Sequence, residues 1–383
     1  MKIDAIKISV FEAERITNRF QLVKKGVGLS RRWIRQHHSA AQGNLHVLHV
    51  HTDEGVEGVC TVGDARYLTM RPRDLEQLRV LALGEDPFDR EHLHDKLSAA
   101  TRGMFTRPGW FGAFDNCLWD IAGKVAGLPV YALLGRARKR CPAYYNIGGG
   151  RGEGTEEVAA EDAIKAVGMG FPAVKDHFRD RASRNIRYLR AVREAVGPDI
   201  DVLHDAALAG YNYQEALRVG RALEEIRAGW FEEPLPDAKQ AELQELCQAL
   251  DVPVLAPESM MHDMDLCAQW LISGATDFLR LNARHGTTTV LKLAHLAEMH
   301  GANVEFNGPG GLYGLVHSHL VCAIRNTSYY EYFPGGTRDE RGKEIGLLNP
   351  PVPEEGYITP PASPGWGAEW DWDYFRKHRV AEL

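Results

Sequence analysis

The sequence is poor in cysteine, and the cysteines it has follow no metal-binding or disulfide-forming pattern. The six cysteines are widely scattered, and no two of them form a CxxC spacing. Neither a zinc site nor a disulfide framework is therefore predicted. This usage is typical of a reducing compartment, so we expect a cytoplasmic protein.

Long apolar runs and an excess of positive charge are also missing. No window approaches the roughly 20 apolar residues that span a bilayer. The N-terminal MKIDAIKISVFEAERI alternates charged and apolar residues, unlike a signal peptide. The formal net charge of -7 gives no electrostatic reason to bind nucleic acid or an anionic membrane. We expect no partner of either kind.

The chain is long enough for two domains, the larger of them a barrel of about 250 residues. Alternation with period two predicts strands over 2–10 and 44–60, and helical spacing covers 72–135. The basic stretch between the two strands is expected to be a mobile loop. It captures an acidic sugar or is simply solvated, and it contains Lys24, Lys25, Arg31, Arg32, Arg35, His37 and His38.

From about residue 140 onward, short apolar runs alternate with amphipathic helices, which is the βα repeat of a parallel barrel. The runs are FPAVKDHF, IDVLHD, AGWFEEP, VPVLAPE, TDFLRLN, ANVEFN and SYYEYF. A polar residue stands at the C-terminal end of almost every run, and successive ones are 24 to 27 residues apart. The set is Asp205, Glu232, Glu258, Asn282, Asn307 and Glu331. Because barrel enzymes keep their active sites at this end of the strands, we expect these side chains to converge.

The three carboxylates Asp205, Glu232 and Glu258 predict a site for one Mg²⁺. An all-oxygen set of hard ligands suits Mg²⁺ better than zinc or copper. Burying three uncompensated carboxylates together would cost several kcal/mol each, so a cation is needed to keep them ionised. The alternative is that they are unrelated helix-capping or ion-pairing acids.

Lys175 and His177 lie two residues apart on one predicted strand, so both face the same side while Asp176 faces away. Either side chain is a candidate general base, because histidine titrates near neutrality and a desolvated lysine near a divalent cation has a lowered pKa. A strand Lys-x-His at a solvated edge is the alternative interpretation.

Taken together, these residues resemble the mandelate racemase branch of the enolase superfamily over essentially the whole chain. The motifs that carry the resemblance are DIAGKVAGLPVYALLG (120–135), GFPAVKDH (170–177), HD (204–205), WFEEP (230–234), PE (257–258) and GYITPPASPGWGAEWDWD (356–373). Enolase-superfamily sites use a Lys or His base together with Mg²⁺.

The resemblance implies a (β/α)7β barrel over 136–354 and an N-terminal α+β capping domain over 1–135, completed by the tail at about 355–383. It also implies metal ligands at Asp205, Glu232 and Glu258, and a homo-oligomer, either a dimer or an octamer. Lys175 takes the first position of the family's Lys-x-Lys base motif. Glu331 resembles the last-strand acid that hydrogen-bonds the substrate carboxylate. The implied reaction is abstraction of a proton next to a carboxylate, with the metal absorbing the enolate charge.

Two departures from the family pattern narrow the reaction. His177 replaces the second lysine, and Asn282 and Asn307 replace the aspartate–histidine dyad of the opposite face. Asparagine is not a general base, so racemisation, which needs a base on each face, is disfavoured. We expect dehydration of an acid sugar or a cycloisomerisation, with Lys175 as the base and His177 as its partner. Asn282 and Asn307 would then bind substrate hydroxyls, and Arg284 and His285 are candidates for the missing acid.

Two other functions stay open at this level. The first is a racemase or epimerase of a 2-hydroxy acid or amino acid derivative, with a second base elsewhere in the chain. The second is a non-catalytic homologue that binds an acid ligand at the barrel mouth.

Overall fold

The structure, a computed structural model, describes residues 1–25, 32–62, 69–100, 110–150, 155–207, 209–258, 263–308, 311–335 and 338–383. In this part of the chain, no helix is long and apolar enough to cross a membrane. Two sheets organise the described residues. One is antiparallel and the other is an eight-stranded parallel sheet with one short strand added.

The antiparallel sheet has the strand order β13-β1-β2-β3. Its strands are β1 (Ile3–Lys25), β2 (Arg32–Thr52), β3 (Glu57–Thr61) and β13 (Arg379–Glu382). The strands expected over 2–10 and 44–60 are confirmed, although a turn between Thr52 and Glu57 divides the second into β2 and β3.

The expectation of a loop between these strands is wrong for most of the basic stretch. The backbones of β1 and β2 pair as far as Lys25 opposite Arg32, so the positions of Lys24, Arg35, His37 and His38 also lie in strands. Arg31 lies outside the described residues. Basic composition does not prevent a strand, because the backbone forms the ladder and strand preference depends strongly on context.

Four helices follow this sheet: α1 (Pro72–Ala82), α2 (Arg90–Ala100), α3 (Trp110–Ala126) and α4 (Val130–Leu133). Helix α3 ends at Gly127, whose φ of 65° suits glycine, and Pro129 precedes α4. Helix α3 packs closely on the barrel, since a Cβ on Gly112 would lie 2.1 Å from the carbonyl oxygen of Arg284. Asn116 Nδ2 also donates to the Ala283 carbonyl at 3.0 Å. Helix α3 thereby fixes the turn after one barrel strand.

The parallel sheet has the order β10-β9-β8-β7-β6-β5-β4-β11. Its strands are β4 (Cys141–Asn146), β5 (Ala173–Asp176), β6 (Asp201–Asp205), β7 (Phe231–Glu232), β8 (Val254–Ala256), β9 (Phe278–Leu281), β10 (Val304–Phe306) and β11 (Tyr330–Tyr332). Every predicted run contains one of these strands.

Seven helices connect these eight strands, which makes a (β/α)7β barrel, as predicted. They are α5 (Glu156–Gly168), α6 (Ala182–Val196), α7 (Tyr213–Glu225), α8 (Gln240–Ala249), α9 (Met264–Ile272), α10 (Thr287–Met299) and α11 (Leu312–Ala323). The edge strands meet where Ser328 N and Tyr329 N, just before β11, donate to the carboxyl of Glu305 on β10. A small apolar cluster of Tyr144, Ala173, Leu203, Trp230 and Leu255 is buried within the sheet.

The C-terminal segment returns to the antiparallel sheet. After β12 (Tyr357–Ile358) and α12 (Trp372–His378), strand β13 pairs with β1. The ring of Phe375 packs edge-on against Phe11, with centroids 4.7 Å apart. These contacts agree with a capping unit completed by the tail, while the domain bounds at 135 and 355 stay a prediction.

Candidate active site

The strand ends bring the predicted polar residues to one end of the barrel. Asp205 and Glu232 are paired neighbours at the ends of β6 and β7. Lys175 projects from β5 into the same space, with its side chain fully buried. Asp176 faces the other side, where it accepts from His204 Nδ1 at 2.9 Å. The alternation predicted for this strand is confirmed.

Lys175 is bound by carboxylates on three sides. Its Nζ lies 2.9 Å from Glu232 Oε2, 2.7 Å from Glu331 Oε1 and 3.6 Å from Asp205 Oδ2. Burial disfavours the charged amine, but Glu232 and Glu331 hold the pKa of Lys175 well above its usual value. Lys175 is therefore an ammonium in this arrangement.

A second buried cation, Arg280 on β9, was not among the predicted site residues. Its Nε lies 2.8 Å from Glu232 Oε1 and 3.5 Å from Glu258 Oε2, and its Nη2 lies 2.9 Å from Glu331 Oε2. The sequence does carry a signal for it. Arg280 stands two residues before Asn282, so strand alternation places both on one face.

Glu331 is saturated with hydrogen-bond donors and cations. Asn146 Nδ2 donates to its Oε1 at 3.2 Å, and Gly308 N donates to its Oε2. Although burial opposes ionisation, Lys175 and Arg280 hold the pKa of Glu331 well below its usual value. The family resemblance implies that Glu331 hydrogen-bonds the substrate carboxylate. An ionised Glu331 has no proton to donate in such a bond.

His177 contacts a predicted metal ligand through one ring nitrogen. Its Nε2 lies 3.0 Å from Asp205 Oδ2, and an ionised carboxylate can only accept. Nδ1 is buried and has no hydrogen-bond partner among the described residues. Burial lowers the pKa of His177 despite the nearby Asp205, so the ring is neutral near pH 7. In the neutral ring with its proton on Nε2, the lone pair is on Nδ1.

The two asparagines form a hydrogen-bonded relay that ends on a carboxylate. Arg284 N donates to Asn282 Oδ1 at 2.8 Å, and Asn282 Nδ2 donates to Asn307 Oδ1. Asn307 Nδ2 then donates to Glu258 Oε1 at 3.2 Å. The relay joins the turn after β9 to the third predicted metal ligand, and neither asparagine side chain titrates.

Arg284 and His285 lie in the short 3-10 turn Ala283–His285 that follows β9. Both are buried. The turn is held from behind by α3, whose Asn116 Oδ1 accepts from Thr287 N at 3.0 Å. Arg284 therefore joins the site through its backbone, by its bond to Asn282.

The charges of the cluster fit one additional divalent cation. With every carboxyl ionised, Asp205, Glu232, Glu258 and Glu331 exceed the two cations Lys175 and Arg280 by two negative charges. Their neighbour Glu233 is left out of this count, because burial, with Glu258 and Asp205, raises its pKa well above the usual value. Burial, opposed by both cations but reinforced by Asp205 and Glu258, raises the pKa of Glu232 to about 8. The two cations thus leave negative charge uncompensated, and the donors available are the oxygens that Mg²⁺ prefers.

The arrangement is not yet that of a coordination sphere. Within the described ranges, no three Asp, Glu, His or Cys side chains surround a common point at which a metal could bind. Lys175 and Arg280 hold the carboxylates instead, so binding a cation would require Glu232 to reorient or to share its oxygens.

Comparisons with known proteins identify the family to which this fold belongs. Residues 158–374 match the family model "Enolase C-terminal domain-like", and residues 31–135 match "Mandelate racemase / muconate lactonizing enzyme, N-terminal domain". A D-mannonate dehydratase from Caulobacter vibrioides is 29% identical, over 88% of this chain and 91% of its own length. A D-galactonate dehydratase family member from Streptomyces sp. is 30% identical, with 90% and 85% covered.

A solved structure of D-glucarate dehydratase from Agrobacterium tumefaciens, complexed with magnesium, matches over 100% of both chains. Its sequence identity to this chain is 28% and its TM-score is 0.81. The similarity therefore extends to the capping unit as well as the barrel.

Proposed function

Because the chain belongs to the enolase superfamily, with the domains of mandelate racemase and muconate lactonizing enzyme, we propose that it is an Mg²⁺-dependent acid-sugar dehydratase. Relatives that are similar over most of their length include a D-mannonate dehydratase, a D-galactonate dehydratase family member and a D-glucarate dehydratase. The proposed substrate is a small polyhydroxy carboxylate, and a cycloisomerisation of such an acid would use the same first step. Assembly into a dimer or octamer stays a prediction.

One observation carries the proposal: among the described strand ends, the two candidate bases come from one strand, whereas two strands across the sheet end in asparagines. Lys175 and His177 come from β5, whereas β9 and β10 are followed by Asn282 and Asn307. Racemisation needs a second base that receives or returns a proton on the opposite face. Elimination of water does not, because one group can take the α-proton and later protonate the departing hydroxyl.

Asp205, Glu232 and Glu258 would hold the cation. A divalent cation beside the substrate carboxylate stabilises the negative charge that develops when the α-proton leaves. The donor set supports this assignment through its oxygen chemistry and its uncompensated charge.

The contacts favour His177 as the base and Lys175 as a fixed positive charge, the reverse of the roles expected from the sequence. His177 is neutral, with a lone pair on Nδ1, whereas Lys175 is an ammonium bound by three carboxylates. His177 would accept the α-proton and then donate it to the β-hydroxyl, which leaves as water. The resulting enol becomes a 2-keto-3-deoxy acid. Lys175 would stabilise negative charge near the substrate carboxylate.

The test is a screen of purified protein against acid sugars with Mg²⁺, in which 2-keto products are detected with a ketone-trapping reagent. We expect at least one aldonic or aldaric acid to be dehydrated. Glu232→Gln should lose both Mg²⁺ binding and turnover while remaining folded. Glu242→Gln, a matched change on the outer helix α8, should keep both. Full activity after exhaustive chelation, or in Glu232→Gln, would contradict the proposal.

A further inference from the structure

A buried arginine lies among the carboxylates proposed to hold the metal. The Arg280 side chain is 1% exposed and joins three strands, contacting Glu232 at the end of β7, Glu331 on β11 and the carbonyl of Phe306 on β10. Burying a guanidinium is costly unless it is paired. Here the charge of the guanidinium is balanced by carboxylates of the candidate active site.

Arg280 and Lys175 each lie against one oxygen of Glu232: Lys175 donates a hydrogen bond, whereas Arg280 forms an ion pair without hydrogen-bond geometry. Lys175 Nζ lies 2.9 Å from Oε2, and Arg280 Nε lies 2.8 Å from Oε1. The same Nε is 3.5 Å from Glu258 Oε2, so Arg280 lies between two of the three proposed ligands. A cation that binds Glu232 and Glu258 must therefore share them with a permanent positive charge.

We propose that Arg280 is a resident counter-ion that weakens metal binding while keeping the ligands in place without the metal. This role rests on the metal site of the proposed function and sets how tightly that site binds its cation. Arg280 attracts Glu232 and Glu258 in the metal-free protein, which prevents the carboxylates from repelling one another apart. Once the cation arrives, the guanidinium repels it and lowers its affinity.

Loss of the Arg280 charge should increase the affinity for Mg²⁺, whereas ordinary damage to a binding site decreases it. Because Arg280 contacts the proposed ligands themselves, removing its positive charge should tighten the binding of a divalent cation by at least about tenfold, the order expected for neighbouring charges even in a water-like dielectric. If Arg280 only held the ligands in place, its removal would weaken binding, because the ligands would lose their geometry.

The experiment is a calorimetric Mg²⁺ titration of wild type, Arg280→Gln and Arg280→Lys, with folding monitored by circular dichroism. Arg280→Gln should bind at least about tenfold more tightly, whereas Arg280→Lys, which keeps the charge, should stay within about threefold of wild type. Arg325→Gln removes one positive charge from an exposed ion pair on the barrel exterior and should leave the affinity unchanged.

Unchanged or weaker binding in Arg280→Gln, with wild type binding normally, would overturn this role alone. A wild-type chain that binds no Mg²⁺ would overturn the proposed function and this role with it. If Arg280→Gln folds only when Mg²⁺ is present, the role is supported, because the cation then replaces the guanidinium. If it folds at no Mg²⁺ concentration while Arg280→Lys folds without Mg²⁺, the role as a replaceable counter-ion is contradicted.

Discussion

Two residues separated by one position differ in charge in this site: Lys175 is positive and His177 is neutral. Lys175 is surrounded by Asp205, Glu232 and Glu331, which keep its proton on. His177 touches only one of these acids and is buried, so its neutral form is favoured. The strand places both on one face, but the number of carboxylates around each decides which can accept a proton.

The lowered pKa of His177 predicts the acidic limb of the pH profile. A base must be deprotonated to act, so kcat/KM should rise with pH as His177 loses its proton and fall as the pH drops through its pKa. That pKa lies below the usual value of about 6.5 for histidine, so activity should persist into mildly acidic solution. The measurement is kcat/KM at saturating Mg²⁺ from about pH 4.5 to 8.

His177→Asn is the matching variant. It should reduce kcat by about 10²–10⁴-fold, the usual contribution of general acid–base catalysis, and the acidic limb due to His177 should disappear. The KM for the substrate should change much less than kcat. An unchanged limb in His177→Asn would show that another group titrates.

The sequence predicts the positions of side chains at strand ends. It does not predict which side chains contact one another inside the cluster. Asp205, Glu232 and Glu258 were recognisable because a barrel period places them together. The face on which Arg280 lies follows from its alternation with Asn282. The partners of Arg280 and Asn146 are not predictable, because they come from strands distant in the chain. The charge state of Lys175 was likewise inaccessible without its neighbours.

The seam between strands β10 and β11 is joined by hydrogen bonds to a side chain. No ladder of described residues pairs these strands, and the carboxyl of Glu305 instead accepts from Ser328 N at 3.0 Å and Tyr329 N at 3.3 Å. Burial raises the pKa of Glu305 to about 7, in spite of these hydrogen bonds. A titratable group therefore holds together the last two strands of the barrel.

The seam predicts how stability depends on pH. A carboxyl whose folded pKa exceeds its unfolded value binds more protons in the folded state, so its contribution to stability falls as the pH rises from about 4.5 to 7. Glu305→Gln removes this loss. The unfolding free energy of the variant relative to wild type should increase over that range by on the order of 1–3 kcal/mol.

Urea unfolding in chelator at pH 4.5, 5.5, 6.5 and 7.5 measures this difference. The curves for the two proteins should approach or cross as the pH rises. Parallel curves would mean that Glu305 has the same pKa in the folded and unfolded chains.

Element prediction succeeded where local periodicity was strong and failed where pairing was decided at longer range. The seven apolar runs were found because each is short, apolar and followed by an amphipathic helix. The long β1–β2 hairpin was interpreted as a loop because glycine and basic residues dominate its middle. Its backbone pairing continues from the apolar start of β1, which local composition does not reveal.

In the whole molecule, the C-terminal segment contacts elements that lie far from it along the chain. Strand β13 adds to β1, and Trp366 of the C-terminal segment donates from its indole to the Asn116 carbonyl on α3 at 2.8 Å. Such non-local contacts leave no periodic trace in a single sequence. The family resemblance predicts that the tail completes the capping unit. Strand β13 pairs with β1, and the domain assignment stays a prediction.

In the proposed reaction, this barrel removes an α-proton and returns none to the opposite face. The most direct test incubates the protein with Mg²⁺ and a substrate acid sugar in D₂O, and follows the product and the remaining substrate by NMR. The expected result is a 2-keto-3-deoxy product, with the remaining substrate unchanged in configuration at its α-carbon. An α-epimer carrying deuterium, formed without loss of water, would contradict it.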